Sequence, residues 1–181
     1  MIKNEVPIPD NQRTVSKKIA FEGVGLHSGR NCKASIKPSL EDTGITFIRK
    51  DLPGNNSIKA LWLNVTSTKL CTTISNNSGA SASTIEHLMS ALSGMHIDNA
   101  IVEIDSPEIP IMDGSAEPFV NLIENVGITT QQKKRKYIRV LKEVSVQNNQ
   151  GFVCIKPNNQ FSINIEIDFP SKLISHQSCK L

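Results

Sequence analysis

Apolar and polar residues follow two periods along this chain, and the periods separate helices from strands. Ile85, Leu88, Met89, Leu92 and Met95 fall on one stripe at helical spacing, which predicts an amphipathic helix within Ser81 to Gly94. A second helix is expected from Ser115 to Asn125. Elsewhere the pattern shifts to alternating and β-branched runs. These predict strands in VSKKIAFEGVGL, Cys32 to Pro53, IKALWLNVTS, CTTISNN and NAIVEIDSP, and again in KYIRVLKEVSV and Phe152 to Pro170. Many strands with few helices imply an α+β class.

The strand patterns repeat. CKASIKPSLEDTGITFIRKDLP and FVCIKPNNQFSINIEIDFP each have a strand closing on Ile-Lys-Pro (Ile36, Lys37, Pro38 and Ile155, Lys156, Pro157). A polar turn and an alternating strand follow, ending near a proline. Each is preceded by a β-branched strand. The shared order suggests two similar units. The expected organisation is a first α+β domain over 1–127, a polar and basic linker over 128–135, and the start of a second domain over 136–181. The second copy has strands but no helices to cover them, so it is expected to be incomplete and the chain to be an N-terminal part of a longer protein.

Composition narrows the class. The chain has 181 residues, 38% hydrophobic and 20% charged, which is ordinary globular usage. No apolar run reaches membrane-spanning length and MIKNEVPIPDNQ lacks an apolar signal core, so a cytoplasmic protein is expected. Cys32, Cys71, Cys154 and Cys179 form no CxxC pair, which argues against a disulfide framework or a zinc knuckle. A net charge of +3 does not by itself imply a polyanion partner. The one basic concentration, KKRKYIRVLK from Lys133 to Lys142, reads as solvated linker.

Candidate chemistry sits at the start of the first helix. Glu86 and His87 lie off the apolar stripe in the first turn, a carboxylate beside an imidazole. Such a pair can act as general base and metal ligand, and free backbone N–H groups there favour anions. Ser83 or Thr84 is the expected cap. Ser83 with Glu86 also fits a capping box, and a first-turn histidine can serve packing alone. At this level catalysis and capping both stay open.

Five stretches in order carry a resemblance: GVGLHSG (Gly23 to Gly29), LCTTIS (Leu70 to Ser75), STIEHLMSALSG, HIDNAIVEI and PEIPIMDGSAEPFV (Pro107 to Val120). Together they resemble the UDP-3-O-acyl-N-acetylglucosamine deacetylase family, zinc-dependent hydrolases of lipid A biosynthesis in Gram-negative bacteria. The likeness runs from about Val15 to about Gln177. It implies two similar domains with a ribosomal S5 domain 2-like fold, the second truncated here. It also implies a complete enzyme that is monomeric and acts on UDP-3-O-acyl-N-acetylglucosamine.

The resemblance implies roles. His87 matches a Zn2+ ligand, shared in the family with a His and an Asp of an HKxxD helix in the second domain, and Glu86 matches the general base that activates water. Cys71 matches a cysteine beside the metal, with a small buried core residue as the plain alternative. His27 matches a histidine near the cleft, with a tight turn formed by Gly25 and Gly29 as the plain alternative. Asp168 and Phe169 match a stretch near the substrate nucleotide, although Phe169 could be the last core residue of its strand. Pro170, Ser171 and Lys172 stand where many members carry a His-Pro pair. PEIPIMDGS reads as a rigid connector whose Asp113 or Ser115 caps the second helix, and His96 and His176 read as surface residues. No HKxxD helix or acyl-chain insert precedes Leu181, so the chain alone is expected to be inactive. Two other classes remain: a non-catalytic regulatory half, and an RNA-binding α+β module using the Lys133 to Lys142 cluster. The second lacks interleaved aromatics, since only Tyr137 lies there.

Overall fold

A computed structural model describes residues 8–149 and 151–181. The chain divides into two units, the first ending at Arg135 and the second spanning Lys136–Leu181.

In the first unit, β1 (Asn11–Val15) is followed by the antiparallel hairpin β2 (Ile19–Val24) and β3 (Asn31–Pro38). A second hairpin joins β4 (Ile45–Arg49) and β5 (Ser57–Lys59). The run VSKKIAFEGVGL, expected as one strand, breaks at Ser16 to Lys18 into the end of β1 and all of β2. A 3-10 turn (Trp62–Asn64) leads to a small sheet of β6 (Val65–Ser67), β7 (Thr73–Ser75) and β8 (Ser81–Ala82). Then come α1 (Glu86–Gly94), β9 (Ala100–Ile104), α2 (Glu117–Val126) and β10 (Ile128–Lys134).

The five-stranded sheet has the order β2-β3-β9-β4-β5. The late strand β9 lies between the two early hairpins, antiparallel to β3 and parallel to β4. Period-two alternation sends Cys32, Ala34 and Ile36 of β3 and Ala100, Val102 and Ile104 of β9 into the core. Lys33 and Lys37 face out, and Lys37 pairs with Glu103 at 2.7 Å. Both helices add to the same core: Leu88, Ala91 and Leu92 from α1, Phe119 and Ile123 from α2. Phe119 meets Phe21 of β2 edge-on at 5.5 Å. The fold is α+β, and the stripe read from sequence is the buried face of α1, with Met89 and Met95 packed at its margin.

Residues 128–135 are not a linker. All but the last form β10, which pairs antiparallel with β1, Val15 opposite Ile128. A buried amide network fixes this pairing. Asn99 Nδ2 donates to Gln12 Oε1 and to Gln131 Oε1, both at 2.8 Å, while Asn99 Oδ1 accepts from the Gly44 N–H at 2.9 Å. Polar side chains thus do here what apolar ones do in the main sheet.

The second unit consists of two antiparallel hairpins, β11 (Val144–Asn148) with β12 (Gly151–Ile155) and β13 (Asn164–Asp168) with β14 (His176–Lys180). KYIRVLKEVSV is a strand only from Val144 onward. The order matches the two hairpins of the first unit, and Ile155-Lys156-Pro157 ends β12 much as Ile36-Lys37-Pro38 ends β3. No described strand joins the two hairpins as β9 does in the first unit. Val146, Phe152, Val153, Ile165 and Phe169 are correspondingly exposed.

Candidate active site

Three segments converge at the entry of α1. Strand β8 delivers the chain to Ser83, whose N–H donates to the Pro107 carbonyl at 2.9 Å and whose carbonyl accepts from the Ile109 N–H at 3.1 Å. This short parallel bridge lays Ser83 beside Glu108. Thr84 then turns through a left-handed conformation, φ 55°, which is costly for a β-branched residue. Its hydroxyl donates to Glu108 Oε1 at 2.8 Å. The helix begins two residues later.

The cap expected from Ser83 or Thr84 does not form. Ile85 occupies the N-cap without a side-chain hydrogen bond. Thr84 is turned toward Glu108, and Ser83 Oγ accepts instead from the Thr73 hydroxyl at 3.1 Å. Glu86 does not complete a capping box either. Its Oε2 accepts from the Thr72 N–H at 3.0 Å, across to the β7 edge. The other oxygen, Oε1, has no hydrogen-bond partner among the described residues. Glu86 and His87 are both half-buried in the first turn, where the helix N-terminus favours a carboxylate.

The Thr72 contact brings the LCTT segment to the helix. Cys71, half-buried, precedes Thr72 and lies 3.8 Å from the Thr73 hydroxyl. His27 approaches from the β2–β3 turn. Its N–H donates to Glu108 Oε1 at 3.0 Å and the Ser28 N–H to Oε2 at 2.7 Å. The imidazole itself is exposed. Burial raises the Glu108 carboxyl, but donors from His27, Ser28 and Thr84 outweigh it and bring its pKa down to about 2. Asp113 accepts from the Ser115 N–H and hydroxyl, both at 2.9 Å, and Ser115 Oγ in turn accepts from the Glu117 N–H at 3.1 Å. Those Ser115 donors hold Asp113 below the usual carboxylate range, and the nearby His87 imidazole adds to the effect.

Four of the residues singled out in the sequence, His27, Cys71, Glu86 and His87, therefore belong to segments tied together at one helix end. Asp168 and Phe169 lie in the other unit, at the end of β13 and just beyond it, both exposed. Phe169 shares that exposure with Phe152, Val153 and Ile165 of the same unit. His96, expected at the surface, is half-buried just past the C-terminal end of α1. His176 is exposed, as expected. Sequence reasoning missed Thr72, Thr84 and Glu108 as parts of the site. Glu108 carried a signal, an acidic side chain among prolines and isoleucines where a solvated carboxylate has no reason to be. The basic cluster is partly neutralised: Lys133 pairs with Asp42 at 2.7 Å, Lys134 with Asp10 at 3.6 Å and Arg135 with Asp98 at 2.8 Å.

Comparison with known proteins identifies the family of the chain. The sequence model of the UDP-3-O-acyl N-acetylglycosamine deacetylase family matches residues 12–181. The UDP-3-O-acyl-N-acetylglucosamine deacetylase of Syntrophus aciditrophicus (strain SB) is 49% identical over 170 residues, covering 94% of this chain and 54% of that protein. The protein of the same name from Shewanella violacea is 47% identical over 164 residues, 91% of this chain and 54% of its own length. That from Shewanella halifaxensis is 46% identical over 158 residues, 87% and 52%. The chain spans about half the length of the curated relatives it matches. On a match that reaches from β1 to the end of the chain, it belongs to the UDP-3-O-acyl N-acetylglycosamine deacetylase family.

Proposed function

We propose that this chain is the part of a UDP-3-O-acyl-N-acetylglucosamine deacetylase that supplies its general base, Glu86, and one zinc ligand, His87. The observation that carries the reading is the asymmetric tether of Glu86. The Thr72 N–H fixes Oε2 while Oε1 keeps its lone pairs, with the His87 imidazole next in sequence. A carboxylate held by one oxygen is oriented without being consumed as a cap.

Among the described residues no group of three His, Cys, Asp or Glu side chains is arranged to hold a metal. On the family resemblance His87 would be one of three protein ligands, the others being the His and Asp of the HKxxD helix. Zinc, when bound, would lower the pKa of a water toward neutrality. Glu86 Oε1 would take up the proton of the attacking water as it adds to the acetamide carbonyl. Cys71 and His27 would line the approach to Glu86, and Asp168 and Phe169 would contact the nucleotide, Phe169 by stacking on uracil. The substrate is the UDP-sugar of the family's name, and the reaction belongs to lipid A biosynthesis. With one ligand of its own the chain alone would be inactive, and the complete enzyme would be a cytoplasmic monomer. No described helix is long and apolar enough to cross a membrane. The ion pairs of Lys133, Lys134 and Arg135 offset part of the cluster's charge, and Tyr137 is its one aromatic, which weighs against a grip on RNA.

The test joins this chain to the remainder of the Syntrophus aciditrophicus relative and compares Glu86→Gln with the unmutated protein. Turnover should fall about a hundred- to ten-thousandfold with zinc content unchanged. Near-normal turnover would reduce Glu86 to a tether for Thr72. His87→Ala should lose both metal and activity, and full zinc occupancy in that variant would remove His87 from the ligand set.

A further inference from the structure

Glu108 is 3% exposed, and the groups that bind it come from two other segments. The His27 and Ser28 N–H groups reach it from the β2–β3 turn, at 3.0 and 2.7 Å, and the Thr84 hydroxyl from the entry of α1, at 2.8 Å. The turn closes tightly around it. A Cβ placed on Gly25 would lie 2.5 Å from Glu108 Oε2 and 2.5 Å from Ser28 Oγ, so the backbone there is shaped to this carboxylate. Glu108 is itself held on both sides, since its neighbours Pro107 and Ile109 hydrogen-bond Ser83. One side chain thus links the segment carrying His27 to the left-handed residue two positions before Glu86.

We infer that Glu108 is a positioning residue that clamps the His27 turn to the Thr84 turn, so that His27 keeps a fixed place relative to Glu86 and His87. Its catalytic consequence rests on the deacetylase reading; the clamp does not. Glutamine at this position keeps the shape but offers one acceptor oxygen where donors surround two, and its NH2 would face an N–H. The turn should then open locally while the sheet remains closed.

Hydrogen exchange on the 181-residue chain tests the clamp directly. In Glu108→Gln the His27 and Ser28 amides should exchange roughly ten- to a hundredfold faster, the range expected for a lost charged hydrogen bond. The amides of Val102 and Ile104 should be unchanged. Unaltered exchange at His27 and Ser28 would overturn the inference. In the joined protein, Glu108→Gln and His27→Ala should each lower kcat/KM by up to about a hundredfold, the scale of a misplaced group. Combined, they should lower it no further than the larger single effect. Additive losses would show that Glu108 does not act through His27. Thr84→Val, which removes one link at nearly constant side-chain volume in a buried position, repeats the same cycle if Glu108→Gln fails to fold. An unmutated joined protein without deacetylase turnover would count against the functional reading, and the exchange comparison would still decide the clamp.

Discussion

Hydrogen bonds from neutral groups on separate segments make Glu108 sensitive to acid. Its carboxyl is lowered from the ordinary 4.5 to about 2 in the folded chain, so the stability it contributes is complete above about pH 4.5 and is lost as pH falls toward 2. Thermal unfolding followed from pH 5 to pH 3 should show a steeper loss for the unmutated chain than for Glu108→Gln, and parallel curves would mean the carboxylate is not the titrating group. His96 works in a different window. Burial lowers its pKa first, with Arg135 and Arg13 adding repulsion. A depressed histidine contributes stability that is present above its ordinary 6.5 and declines as pH drops through and below that value. Gly25→Ala should be destabilising by more than a usual helix or turn substitution, because a methyl group 2.5 Å from Glu108 Oε2 forces the clamp apart. Burial raises the Cys32 thiol to about 11. Alkylation at neutral pH should spare Cys32 in the folded chain while modifying the exposed Cys179.

Among elements, α1 joins the core to the site, so its two faces should respond differently to mutation. Leu88 and Leu92 are fully buried, and truncating either to alanine should cost about 2–5 kcal/mol. Ser90, exposed on the same helix, should tolerate alanine within about 0.5 kcal/mol, and denaturant titration of the three variants checks the contrast. The helix was legible in the sequence because its period is a local property: Ile85, Leu88, Met89, Leu92 and Met95 declare their face within three turns. How that helix is capped was not. The Thr84 hydroxyl goes to a residue 24 positions away and the Glu86 carboxylate to one 14 positions back, and a capping pattern contains no information about such partners. Strand β10 was hidden for a related reason. ITTQQKK reads as polar connector, yet Gln131 is drawn in by Asn99 and the pairing with β1 spans the whole first unit. Alternation identifies strands that bury apolar side chains, and it is silent where amides do the burying.

At the scale of the molecule, the two units differ in how much apolar surface they enclose. Hydrogen exchange should be slow through Leu88, Leu92 and Ala100–Ile104 and fast beyond Phe152, where strand residues are largely exposed. Equal protection in both units, measured on a dilute monomer, would mean that the hairpins of the second are covered in some other way. The place of β9 has a consequence for how the protein is made. Translation delivers the β2–β3 and β4–β5 hairpins well before Ala100, yet the sheet cannot close until the strand that separates them has left the ribosome. Until then a nascent chain carries two unjoined ribbons whose apolar sides, Ile36 on one and Phe47 on the other, are bare, the kind of surface that chaperones and proteases compete for. Ribosomes stalled before residue 100 should therefore display protease-sensitive chains, and ribosomes stalled only after β10 has emerged should display a resistant first unit. The vulnerable interval in this protein's synthesis is then the time taken to translate from β5 to β9.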